Sequence, residues 1–85
     1  MPMIADIDYS MLPYRMQEVA RAYVEDRHRP GDFLLAVLTN DLVGAFGHAD
    51  AINAVAMAQW ASWLYNEAPS TCWGSHDKVQ RWLNP

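Results

Sequence analysis

From Pro13 onward, apolar residues return every three or four positions. Met16, Val19, Ala20, Tyr23 and Val24 share one side of a 3.6-residue period, which predicts a helix over about 13–28 opened by the proline. Arg15, Glu18, Arg21, Glu25 and Arg27 fall on the other side, a solvated face with Glu18 and Arg21, and Arg21 and Glu25, at helical pairing distances. Arg29-Pro30-Gly31 breaks the pattern, and Asp32 is placed to cap a second helix over about 32–46. Leu35, Leu38, Leu42 and Phe46 trace one face of it, and Phe33, Leu34, Val37 and Val43 widen the apolar surface, which predicts the most buried element. The polar break Thr39-Asn40-Asp41 either faces solvent or ends one short helix and caps the next. Gly47 suits the left-handed residue that closes a helix.

Asp50 then caps a third helix over about 51–66, with Ile52, Val55, Ala56, Trp60, Trp63 and Leu64 as its inward stripe. Pro69 stops it. Residues 68–74 read as a loop, and Ser75 followed by His76 and Asp77 starts a fourth helix over about 76–83 that packs through Val79, Trp82 and Leu83. Residues 1–11 show no period and read as an irregular arm, with Ile4 and Ile7 able to tack onto the body. Nothing alternates with period two, so a sheet is excluded. The expectation is an all-α, compact single-domain bundle of about four helices, residues 12–85, preceded by the arm 1–11.

Composition changes this picture only at its edges. A chain of 85 residues with 52% hydrophobic content has room for one core and needs no second domain. No apolar run reaches the roughly 18 to 20 residues that span a bilayer, the longest being Phe33–Leu38. Met1–Asp8 has no Lys or Arg and carries Asp6 and Asp8, unlike a secretory leader, so the expected location is the cytoplasm. Cys72 is the only cysteine, which leaves no internal disulfide. A net charge of -4 speaks against a phosphate-backbone binder, and the best basic cluster, Arg27-His28-Arg29, suits a helix C-terminus instead. No direct nucleic-acid contact and no membrane partner are expected.

Chemistry is sparse. Cys72 and His76 have a C-x3-H spacing that supplies two metal ligands, with His48 or His28 to complete a site, but a structural zinc site needs four ligands and the histidines are scattered. A nucleophilic Cys72, its thiol activated by the helix that begins near Ser75, defines an enzyme or redox-sensor alternative. Gly44 and Gly47 lack the strand, spacing and lysine of a phosphate loop. No cofactor is expected. Of the four tryptophans, Trp60, Trp63 and Trp82 fall on inward stripes, whereas Trp73 sits in the loop and is the best aromatic for an exposed or half-exposed anchor. Asn40 and Asp41 form a polar pair inside apolar sequence, which serves either as a structural cap or as a partner contact.

The segments Pro30-Gly31-Asp32-Phe33-Leu34, Ala36-Val37-Leu38, Asn40-Asp41-Leu42, Ala45-Phe46-Gly47, Ala49-Asp50, Leu64-Tyr65-Asn66-Glu67-Ala68-Pro69 and Cys72-Trp73-Gly74-Ser75 lie within a stretch, Leu12 to Leu83, that resembles a group of small uncharacterised proteins encoded by bacteriophages and prophages. The resemblance implies a mobile-element origin and host-cell cytoplasm, and brings no fold, catalytic residue or ligand with it. By analogy with small acidic phage proteins, the expected function is non-enzymatic: binding and modulating a host protein, a defence component among the targets. Asn40, Asp41, Tyr65, Asn66, Glu67 and Trp73 are the expected contact residues, and a homo-oligomer is an open alternative. An acidic DNA mimic or small regulator is the weaker reading and needs Asp41, Asp50, Glu67 and Asp77 on one face.

Overall fold

The computed structural model describes residues 7–85, so the expectation for Ile4 lies outside the described residues. Six helices follow one another: α1 (Tyr14–Asp26), α2 (Asp32–Leu38), α3 (Leu42–His48), α4 (Ala51–Val55), α5 (Met57–Asn66) and α6 (His76–Leu83), with no strand among the described residues. The all-α class holds. The helix count differs because two expected helices are interrupted, at Thr39–Asp41 and at Ala56.

The first interruption is built by two adjacent side chains. Asn40 takes the left-handed conformation, φ 67°, a geometry asparagine tolerates better than most residues. The Asp41 N–H then reaches back to the Ala36 carbonyl at 2.9 Å, closing α2 with the pairing of a Schellman motif. Asp41 opens α3 by accepting the Gly44 N–H at 2.9 Å. The second interruption is slight. Ala56 has ψ 11°, yet its N–H donates to Ile52 and its carbonyl accepts from Trp60, so the chain bends without reversing.

Other ends depart from expectation in detail. α1 stops at Asp26 because Arg27 adopts φ 53° and the His28 N–H closes on the Ala22 carbonyl at 3.1 Å. Gly31, not Asp32, is the residue before α2, and Asp32 lies inside the first turn, where its charge suits the helix dipole. Gly47 is not a left-handed terminator: α3 continues through His48 to an extended Ala49. Asp50 and Ser75 cap α4 and α6 as expected, accepting from the Asn53 and Lys78 N–H groups.

One core joins all of this. Trp60, Trp63, Tyr23, Leu34, Leu38, Val24, Val79 and Cys72 are fully buried side chains. Phe33 and Trp60 meet edge to face at 5.5 Å, Trp60 and Trp63 at 6.0 Å, and Tyr9 leans on Trp63 at 5.7 Å; such pairs add about 0.5–1.5 kcal/mol each beyond burial. The described part of the arm is tied down by Ile7 in the core, by the Tyr9 hydroxyl donating to Glu25 at 3.0 Å, and by the Asp8 N–H donating to Glu67 at 3.0 Å.

Three expected inward stripes are corrected, that of the first helix only at Val19, which is exposed. In the second expected helix, Leu38 is buried but Leu42 and Phe46 are exposed. The break at Asn40 turns α3 onto a new course, so the 3.6-residue phase set by α2 no longer applies beyond it. In the third, Ile52 and Val55 are exposed, and the inward stripe is Asn53, Ala56, Trp60, Trp63 and Leu64. Asn53 is buried because its Oδ1 accepts the Trp60 indole N–H at 3.2 Å.

Candidate functional site

The two breaks leave an unusual surface. Across α3 and α4, Leu42 (65% exposed), Val43 (83%), Phe46, Ile52 and Val55 (84%) project apolar side chains into solvent. Leu42 and Phe46 share a face of α3 by their spacing of four, and Ile52 and Val55 share a face of α4 by their spacing of three. Only Ala49 and Asp50 separate the two helices. Single exposed apolar residues are ordinary, whereas five large ones in two consecutive short helices are the pattern of a contact surface.

Leu42 also lines a groove of about 110 Å³ between α2–α3 and α5. Val37, Leu42, Ala45, Met57, Trp60 and Leu64 give it apolar walls, and Asn40 and Asp41 are its polar rim. Small-molecule sites run to roughly 300–1,000 Å³, so this groove fits an anchoring side chain better than a substrate. The Asp41 carboxylate spends Oδ1 on the α3 cap; Oδ2 has no partner among the described residues, and neither has the Asn40 side-chain amide. The structural and contact roles weighed for this pair are therefore compatible.

The remaining expected contact residues are dispersed. Tyr65 is 83% exposed on α5, four residues after Ala61 in the groove wall. Asn66 turns its amide back onto Ser62, donating to its carbonyl at 3.0 Å. Glu67 is half-buried and engaged by the arm through the Asp8 N–H. Trp73 is half-buried against the core, its indole nitrogen enclosed without a partner among the described residues. None of these four lines the groove. Sequence reasoning missed Leu42, Val43, Phe46, Ile52 and Val55 as surface residues, since hydrophobic periodicity assigns every apolar residue to a core.

Cys72 lies at the opposite extreme. Its side chain is fully buried, and burial pushes the thiol up to about 12. A reactive cysteine needs the reverse shift, and the helix that starts at His76 does not supply it here. The Tyr23 hydroxyl donates to the Cys72 carbonyl at 2.7 Å, the Trp82 indole donates to the Tyr23 carbonyl at 3.0 Å, and Arg27 donates to the Trp82 carbonyl at 2.9 Å while its guanidinium lies 3.9 Å over the Trp82 ring. This chain of contacts ties α1 to α6 and to the loop before it. The Gly74 N–H donates to the Leu38 carbonyl at 2.8 Å, with φ 116° at a position where any side chain is strained.

His48 and His76 line a second, more polar cleft of about 270 Å³ with Arg29, Asp32, Thr39 and Asp41, but Cys72 is not in its wall. Among the described residues, no three His, Cys, Asp or Glu side chains are placed to hold a metal ion. Of the four acids required by a DNA-mimic face, Asp41 and Asp50 are helix caps, Asp50 is paired with Arg15 at 2.6 Å, and Glu67 is held by the arm. Among the described residues, no helix is long and apolar enough to cross a membrane.

Comparison of the chain with protein-family models, with curated proteins and with solved structures finds no match.

Proposed function

We propose that this chain is a non-enzymatic interaction protein, a phage or prophage accessory factor that binds and modulates a host protein, a defence component among its targets. The observation that carries the reading is the exposure of Leu42, Val43, Phe46, Ile52 and Val55 on α3 and α4, with Leu42 also in the wall of a groove rimmed by Asn40 and Asp41. Leaving such residues in water forfeits up to about 1.5–3 kcal/mol of burial for each, a cost that a bound partner removes. The buried, protonated Cys72 thiol weighs against the cysteine-enzyme alternative.

Val43→Ser combined with Val55→Ser tests the assignment. Both side chains are more than four-fifths exposed, so unfolding in urea should change by no more than about 0.5 kcal/mol. The proteins that the wild-type chain captures from a bacterial lysate should be lost. An identical captured set, with the fold intact by circular dichroism, rejects this surface as the site of function.

A further inference from the structure

The charge pattern around the α3–α4 surface restricts what can cover it. Residues 30–77 contain Asp32, Asp41, Asp50, Glu67 and Asp77 and no lysine or arginine. Arg15 from α1 answers Asp50, and the Asp8 N–H answers Glu67. Asp41 is the one charged residue in the groove wall, and its Oδ2 is unpartnered among the described residues. The groove is thus an apolar slot with a single negative charge at its rim.

A second copy of the chain fits this badly. In a two-fold contact the same patch meets itself, which sets acidic residues 30–77 against their own copy, with Arg15 already held by Asp50 and Arg29 the one arginine that shares a cleft with Asp41. An extended strand fits badly as well: the surface is wholly helical, with no strand edge to pair the strand's backbone groups. A helix satisfies its own backbone and presents side chains at spacings of three and four, matching Leu42 with Phe46 and Ile52 with Val55.

Resting on the interaction reading above, we infer that the occupant is a cationic amphipathic helix of a partner protein. One of its apolar side chains seats in the groove beside Leu42. A lysine or arginine one turn away pairs with the free oxygen of Asp41, and neighbouring apolar side chains cover Val43 and Val55.

The probe is a synthetic peptide of about 16 residues with a leucine stripe at helical spacing flanked by lysines. One control replaces the lysines by glutamates, and a second keeps the lysines and replaces the leucines by serines. Binding is followed by fluorescence anisotropy with the full chain at low and moderate salt. The leucine–lysine peptide should bind, weaken with salt, and lose about tenfold in affinity to Asp41→Asn, a change that retains a good N-cap. Val43→Ser with Val55→Ser should cost at least as much. The glutamate control should bind at least about tenfold more weakly than the lysine form, and the serine control should not bind measurably.

Equal binding of the lysine and glutamate peptides overturns the inference, as does equal binding of the serine control, which marks plain charge adhesion. Indifference to both sets of variants overturns it too. A dimer seen by sedimentation and broken by Val43→Ser with Val55→Ser overturns it in favour of a second copy. If that double variant abolishes capture from the lysate while the leucine–lysine peptide fails to bind, the interaction reading stands and the cationic helix falls. If the variant changes neither, both fall.

Discussion

Asn53 and Trp60 stand seven residues apart, two turns of helix, and this spacing puts an amide against an indole in the interior. Asn53 is the only buried polar residue among those described. Asn53→Ala would leave the Trp60 N–H unpaired and fully buried, which costs about 1–3 kcal/mol. Urea unfolding should show that loss without a change of slope, and Trp60 emission should shift; an unchanged midpoint would mean the indole has found another acceptor. The pair was absent from the sequence reading because the apolar pattern selects Ile52 and Val55. Phase counted back from Trp63, Trp60 and Ala56 would have selected position 53 instead. The tryptophans fixed the true helix phase, and the polarity of asparagine hid it.

Among the helices, the decisive feature is the consecutive use of Asn40 and Asp41. One residue closes α2 in the left-handed conformation and the next opens α3 by its carboxylate. Gly44 belongs to the same device, since a β-carbon there would collide with the Asp41 carboxylate, whose Cγ would be 2.8 Å away. Gly44→Ala therefore displaces the cap, losing about 1 kcal/mol, while gaining about 1 kcal/mol of helix propensity. The single change should be nearly neutral. With Asp41→Ala already present, the same Gly44→Ala should stabilise by about 1 kcal/mol, because no cap remains to displace. A double-mutant cycle in urea reads this coupling directly, and simple additivity would contradict the geometry. The caps at Asp50 and Ser75 were legible because an acceptor side chain precedes an apolar run in the first case and a first turn carrying Asp77 in the second. The break at Asn40 was legible only as one of two options, since sequence does not say which polar residue will take positive φ.

For the molecule as a whole, the burial of Cys72 and Tyr23 makes stability depend on alkaline pH. Burial raises the folded thiol from 9.0 to about 12, so between those values the native state holds a proton that the unfolded chain gives up. The contribution of this group is complete below about pH 9 and falls as pH rises, by up to about 1.4 kcal/mol per unit. Tyr23 and Tyr9 are raised by burial in the same sense and add to the loss above their ordinary value of 10.0. The stability difference between wild type and Cys72→Ala should therefore shrink steadily above pH 9, measured by urea unfolding at several pH values. A constant difference would put the thiol at its ordinary value.

The stretch without lysine or arginine, residues 30–77, has a consequence outside binding. Proteases that cut after basic residues find no site from the start of α2 to the end of α5, and Lys78, the only lysine, is engaged with the Ser70 carbonyl at 3.1 Å. Enzymes that acylate or methylate lysine side chains have no acceptor within residues 30–77. A cell can mask the apolar corner with a partner, but the stretch that forms it offers no lysine or arginine to cleave after or to modify.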